Sequence, residues 1–174
     1  MKGFLAILAT VFACVWQVTV APLFPVGGLT FDFVLLMLVV IAAFGTPRRA
    51  MVCVPVAALA YGFLADRAPG LVLLAYLPML PLGVYLEQSG VPLNHFAQTA
   101  LAMVATGAWV RLLLVLGAVL GGADGSAGVV LLDFILPAML LDFALLCVVY
   151  VPLRLLGWSG QGMSLQRGGY YSSL

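Results

Sequence analysis

Six apolar segments alternate with short polar or Pro/Gly-containing links along the 174 residues of the chain. A helix that crosses the hydrocarbon core of a bilayer needs about 20 apolar residues, and fewer where its neighbours bury it. The pattern predicts an all-α membrane protein with six transmembrane helices in one bundle, at about residues 3–21, 29–44, 50–65, 71–86, 94–120 and 129–156. The Gly/Ser-rich residues 157–174 lack an apolar period and are predicted to form a mobile cytoplasmic tail.

Composition strengthens the membrane assignment. Hydrophobic residues make up 65% of the chain and charged residues 7%, too few polar groups to cover a soluble domain of this size. A net charge of +1 gives no electrostatic basis for binding nucleic acid. The first apolar run exceeds the hydrophobic region of a signal peptide and lacks an Ala-x-Ala site, so we interpret it as a retained helix.

The distribution of basic residues predicts the orientation, because positive charges concentrate in cytoplasmic loops. With the N-terminus in the cytoplasm, Arg67 is the one basic residue expected outside, beside Asp66. The basic residues then expected in the cytoplasm are Lys2, Arg48, Arg49, Arg154 and Arg167. The reverse orientation would expose those five outside. We therefore expect both termini to be cytoplasmic.

Prolines inside the predicted helices indicate kinks, because proline lacks a backbone donor. They are Pro55 in the third helix, Pro78 and Pro81 in the fourth, and Pro137 in the sixth. The fourth helix is also short. We expect it to be shielded from lipid, either at the centre of the bundle or along a cavity; kinks that simply improve packing are the alternative.

The stretch LLDFILPAMLLDF, residues 131–143, places two carboxylates in an apolar helix. Nine residues separate Asp133 from Asp142, so about two and a half helical turns point them to opposite sides. Asp133 is predicted near the outer surface and Asp142 near the midplane, where a charge is costly. Arg111, inside the fifth helix, could reach either one. We favour a pair between Arg111 and Asp142, because the deeper carboxylate has fewer alternatives; pairing with Asp133, or a protonated Asp142, remains open.

Asp32 and Asp66 are predicted at the outer ends of the second and third helices. Asp32 suits a helix cap or an outer-face site, and Asp66 suits a turn or a pair with Arg67. His95 opens the fifth helix and is interpreted as an interfacial cap or loop residue. No catalytic motif or metal-ligand spacing occurs, so we expect neither an enzyme nor a cofactor.

Three stretches around these residues resemble the rod shape-determining protein MreD family. The first is Phe31-Asp32-Phe33-Val34-Leu35-Leu36, the second Tyr61-Gly62-Phe63-Leu64-Ala65-Asp66, and the third Leu136-Pro137-Ala138-Met139-Leu140-Leu141-Asp142. The family shows an aromatic-or-proline/Asp/Leu opening to its second helix and Gly-Phe-x-x-Gly-Leu-x-x-Asp at the end of its third. Here the second run is compressed and lacks its second glycine. Asp142 stands where the family has Asn.

The resemblance implies a non-enzymatic component of the bacterial cell-elongation (rod) complex in the cytoplasmic membrane, helping to control cell shape and peptidoglycan synthesis. Its implied partners are the bitopic protein MreC, then RodA and a penicillin-binding transpeptidase. A groove lined by small residues is predicted to receive the MreC helix. The glycines that offer such close approach are Gly62, Gly83, Gly107 and Gly117.

The MreD family also resembles the substrate-binding components of energy-coupling-factor vitamin transporters, which are six-helix bundles. This likeness supplies an alternative function, a membrane component that binds a small molecule. Asp32, Asp66 and the fourth helix would then line an outward pocket. Ala9-x-x-x-Ala13 resembles the alanine motif of those transporters, although small-x-x-x-small pairs are frequent in membrane bundles.

Overall fold

The computed structural model describes residues 2–26, 28–44, 47–81, 94–120 and 135–155, and this part of the chain is helical without strands. The helices are α1 (Lys2–Thr19), α2 (Phe33–Phe44), α3 (Pro47–Leu64), α4 (Pro69–Tyr76), α5 (His95–Leu120) and α6 (Leu136–Leu155). A 3-10 turn, Ala21–Leu23, follows α1. The predicted all-α class is therefore confirmed.

Three described helical segments are long and apolar enough to cross a membrane: Gly3–Leu23, His95–Gly117 and Leu136–Leu155. The other apolar helices are shorter, at Phe33–Phe44, Arg49–Leu64 and Pro69–Pro81. The protein thus has the character of a membrane protein, whereas the count of six spans stays a prediction.

Large apolar side chains cover the outside of the helices. On α1, Phe4, Leu8 and Phe12 are 70%, 54% and 63% exposed, and their four-residue spacing places them on one face. Rows of this kind would be unfavourable in water, but they are the expected surface of a helix that contacts lipid.

α2 is the central helix of the bundle. Its sequence, FVLLMLVVIAAF, is apolar on every side, which is typical of a helix buried all round. Its buried residues are Val34, Leu35, Leu36, Leu38, Val39, Val40, Ile41 and Ala43. It packs against α1, α3, α5 and α6. The short central helix is therefore α2.

The fourth helix, which we expect to be shielded from lipid, is shielded on one side only: Val72, Ala75 and Tyr76 are buried. α4 packs on α3 and α5, but Leu74 and Leu77 stay 50% and 47% exposed. The predicted break is present, because the helix gives way to a turn at residues 77 and 78, where Pro78 has no N–H. Pro137 lies at the start of the described part of α6; because residues 121–134 lie outside the described residues, the kink predicted at Pro137 stays a prediction.

A tight turn joins α3 to α4 and explains two residues of the family resemblance. Asp66 adopts a positive φ of 50°, a left-handed conformation that Asp tolerates better than most residues. The Arg67 N–H donates to the Gly62 carbonyl at 2.9 Å, as in the αL motifs that end helices. A Cβ at Gly62 would lie 2.8 Å from Pro69 Cα. Asp66 is thus the turn-forming residue, and Gly62 lets the two helices meet.

The glycines predicted to offer a groove to a partner are in contact within the chain. Gly62 faces Pro69, and Gly117 faces Leu71 of α4 at an ordinary contact distance. A Cβ at Gly107 would lie 3.1 Å from Arg111 Nη1 and 3.2 Å from Leu35 Cδ2. Gly83 lies outside the described residues. At Gly62 and Gly107, the prediction of an open groove is wrong, whereas Gly117 stays exposed.

Gly62→Ala should destabilise the bundle by about 1–3 kcal/mol, because backbone of Pro69 cannot move aside as a side chain can. Gly70→Ala is the matched control, since nothing lies within 4 Å of its Cβ position, and it should be neutral or slightly stabilising. Thermal unfolding in detergent measures both. Equal unfolding temperatures for the two variants would contradict the close approach of α3 and α4.

Candidate functional site

The N-terminal end of α2 carries backbone N–H groups that the helix itself cannot satisfy. Asp32 caps this end: its Oδ1 accepts the Leu35 N–H at 2.8 Å, and its carbonyl accepts the Leu36 N–H at 3.0 Å. The capping role expected for Asp32 is therefore present. It also explains why α2 begins at Phe33, four residues later than the apolar pattern predicts.

Side chains from two other helices satisfy further N–H groups at this end. Asp142 Oδ1, on α6, accepts the Asp32 N–H at 2.9 Å. Gln17 Oε1, on α1, accepts the Phe33 N–H at 2.7 Å. Carboxylates near a helix N-terminus are also stabilised by its positive dipole end. The start of α2 is thus fixed to α1 and to α6 by side-chain acceptors.

Arg111 forms the ion pair with Asp142 that the sequence analysis favoured. Its Nη2 contacts Asp142 Oδ2, and its Nη1 donates to the Gly107 carbonyl at 3.3 Å. The two side chains are 15% and 3% exposed. The guanidinium folds back along α5 by one turn, across the space that Gly107 leaves free. It is therefore directed to the carboxylate rather than outward along the helix.

Tyr76 adds α4 to this group of residues. Its hydroxyl lies 3.3 Å from Asp32 Oδ1 and 3.2 Å from Asp32 Oδ2, and the residue is 2% exposed. The five residues Gln17, Asp32, Tyr76, Arg111 and Asp142 are called the polar cluster below. They come from α1, the start of α2, α4, α5 and α6, so that five elements meet at one point.

A second contact holds the opposite end of α2. His95 Nε2 lies 3.1 Å from the Ala43 carbonyl, and His95 Nδ1 lies 2.8 Å from the Tyr150 hydroxyl of α6. In the neutral ring, Nε2 donates to the carbonyl and Nδ1 accepts from the hydroxyl. Asn94 Oδ1 accepts the Ala97 N–H at 2.8 Å and is the cap of α5. His95 is therefore neither a loop residue nor the cap of its own helix, and its ring instead contacts a carbonyl in the last turn of α2.

The polar cluster lies deep between the ends of the bundle. At the helical rise of 1.5 Å per residue, Asp32 is about 16 Å from Ala43 and Asp142 about 12 Å from Tyr150. Tyr76 is about 10 Å from Pro69 at the other end. The cluster thus lies well inside the bundle, about 10 Å from one end and about 12–16 Å from the other. The two ends are called the His95 end and the Pro69 end below.

The structure changes the predicted grouping of the acidic residues. Asp32 lies at the same level as Asp142, which accepts its N–H, so the predicted difference in depth between these two residues is wrong. Asp66 lies in the α3–α4 turn, at the Pro69 end. Asp133 lies outside the described residues.

Two members of the polar cluster were not predicted. Gln17 had a recognisable signal, because it is the one amide side chain in residues 3–31, a stretch without any charge. Such a group in a membrane helix needs a partner. Tyr76 had no such signal, since a lone tyrosine among apolar residues is common in membrane helices.

The cluster binds helices to one another through its own donors and acceptors. Asp142 pairs with the Arg111 guanidinium and accepts a hydrogen bond from the Asp32 N–H. The Asp32 carboxylate accepts a hydrogen bond from the Leu35 N–H and contacts the Tyr76 hydroxyl. Within the described part of the chain, no group of three or more His, Cys, Asp or Glu is placed to hold a metal ion.

Comparison of the chain with protein-family models, with curated proteins and with solved structures found no match. A functional proposal therefore depends on the residues themselves and on the geometry described above.

Arg111→Met and Asp142→Asn should each destabilise the protein by about 2–5 kcal/mol, because each leaves a buried charge without its partner. The asparagine keeps an oxygen that can accept the Asp32 N–H. The double variant should be less destabilised than the sum of the single variants, by about 0.5–3 kcal/mol. Denaturant titration in detergent measures the cycle. Arg67→Met, in the exposed turn, is the control, and strictly additive effects would contradict the ion pair.

Gln17→Leu should destabilise the protein by about 1–3 kcal/mol, because the Phe33 N–H would lose its acceptor in an apolar environment. Thr19→Val is the matched control on the same helix, since the Thr19 hydroxyl bonds only to its own helix, at Val15, in an exposed position. The same titration compares the two. If Thr19→Val lowered the free energy of unfolding as much as Gln17→Leu, the hydrogen bond from the Phe33 N–H to Gln17 would not be what stabilises the protein.

Proposed function

We propose that this chain is a non-enzymatic membrane scaffold of the MreD type, acting in the rod complex of a bacterial cytoplasmic membrane. The observation that carries the proposal is the position of the family-like residues. Asp32 caps the buried end of α2, Gly62 and Asp66 form the α3–α4 turn, and Asp142 joins α2 to α5 and α6. These residues fix how the helices are arranged, as a scaffold requires.

The charges at the two ends support the proposed orientation. Gln17, near the end of α1, contacts the start of α2, so α1 runs antiparallel to α2 and its N-terminus lies at the His95 end. Arg49, early in α3, and Arg154, late in α6, lie at that same end. Arg67 lies at the Pro69 end. An excess of basic residues at one end favours a cytoplasmic His95 end, with both termini inside.

A partner helix would bind to such a scaffold through close packing in lipid. Gly62 and Gly107 are packed against other residues of the chain, whereas exposed apolar faces remain available to a partner. Phe4, Leu8 and Phe12 form one on α1, and Leu140 and Val148 lie on another, on α6. We propose that the single helix of an MreC-like protein packs on one of these faces, with RodA and a penicillin-binding transpeptidase joining through that partner.

Co-expression with an MreC-like protein tests the scaffold. The two proteins should co-purify in mild detergent. Phe4→Ala/Phe12→Ala and Leu140→Ala/Val148→Ala alter one face each, and one of the pairs should lose the partner while the other retains it. Each pair serves as the control for the other. Failure of the unaltered proteins to co-purify, with a vitamin or other small molecule retained instead, would favour the transporter alternative and overturn the proposal.

A further inference from the structure

The connection between α1 and α2 lacks the polar character of an aqueous loop. No charged residue occurs from Gly3 to Phe31. Within the connection, Leu23, Phe24 and Val26 are 70%, 66% and 50% exposed. The α3–α4 turn, by contrast, carries Asp66 and Arg67. The α1–α2 connection therefore suits an apolar environment, whereas the α3–α4 turn suits an aqueous one.

Both ends of the α1–α2 connection start at the depth of the polar cluster. α1 ends at Thr19, two residues after Gln17, and α2 starts at Phe33, whose N–H binds Gln17. The neighbouring helices continue beyond this level, by about 10 Å along α4 to Pro69 and about 13 Å along α5 to Leu120. Both ends of the connection thus lie at a level at which the neighbouring helices are still helical.

The backbone of the connection is suited to an apolar environment, in which each unsatisfied N–H is costly. Pro22 and Pro25 have no N–H. The N–H groups of Leu23 and Phe24 bond to Val20 and Ala21, at 2.9 and 3.2 Å. Val26 and Leu29 exchange a pair of backbone bonds, at 2.8 and 3.1 Å.

A positive φ of 81° at Gly28 lets the chain close the narrow loop between Val26 and Leu29. Beyond it, the N–H groups of Asp32 and Phe33 bind Asp142 and Gln17. Proline and local hydrogen bonding thus remove most of the donors that would otherwise need water.

We propose that the α1–α2 connection, residues 20–26 and 28–31, lies within the bilayer, with Leu23, Phe24 and Val26 against lipid acyl chains. The occupant of this apolar surface is lipid, because its exposed side chains are uncharged and apolar, as is the exposed row on α1, and most of its backbone donors are removed or bonded locally. The proposal concerns the topology of the chain and does not depend on the scaffold function.

Site-directed fluorescence in proteoliposomes tests this. Cys14, Cys53 and Cys147 are replaced by alanine, and single cysteines are introduced as Phe24→Cys and Val26→Cys, then labelled with an environment-sensitive probe. Leu8→Cys, on the exposed face of α1, is the control for lipid contact, and Arg67→Cys is the control for water. Lipids brominated in their acyl chains and aqueous iodide serve as the two quenchers. Two positions in the connection keep the test informative if one variant does not fold.

At positions 24 and 26, the probe should be quenched by brominated lipid as strongly as at position 8, and iodide should have little effect. Quenching by iodide to the degree seen at position 67 would overturn the proposal, because the connection would then lie in water. Resistance to both quenchers would overturn it as well, because the connection would then be covered by protein, such as a second copy of the chain.

Discussion

The structure depends on a helix that begins inside the bundle. α2 has 12 residues and a length of about 18 Å, shorter than a hydrocarbon core of about 30 Å. Its first N–H groups meet the polar cluster between the helices, and in an apolar environment each one left unpaired would cost several kcal/mol. Asp32, Asp142 and Gln17 supply the acceptors.

This requirement accounts for the other unusual residues. Asp142 is an effective acceptor as a carboxylate, and a carboxylate at this depth needs a cation, which Arg111 provides. Arg111 reaches it only because Gly107 leaves the space for the guanidinium. At the other end of α2, the Ala43 carbonyl contacts His95, and the Tyr150 hydroxyl contacts the second ring nitrogen of His95. The central helix is thus fixed at both ends by side chains of its neighbours.

Some of this arrangement follows from sequence alone. The pair Arg111 and Asp142 was predicted because two opposite charges at similar depth in adjacent apolar helices have few other partners. The cap at Asp32 follows from its position before an apolar run. The level of Asp32 was wrong, because its depth was counted on the assumption that every apolar segment spans the bilayer. The roles of Tyr76 and His95 depend on contacts between distant segments, which no local pattern encodes.

Hydrogen exchange at the start of α2 tests the central claim most directly. In reconstituted protein, the amide N–H groups of Asp32, Phe33 and Leu35 should exchange as slowly as those inside α2, because each is bonded to a side chain of the polar cluster. The amide of Ala68, in the exposed α3–α4 turn and without a hydrogen-bond acceptor among the described residues, provides the comparison. Exchange of Asp32 and Phe33 as fast as that of Ala68 would show that water reaches this end of α2, and would contradict the account.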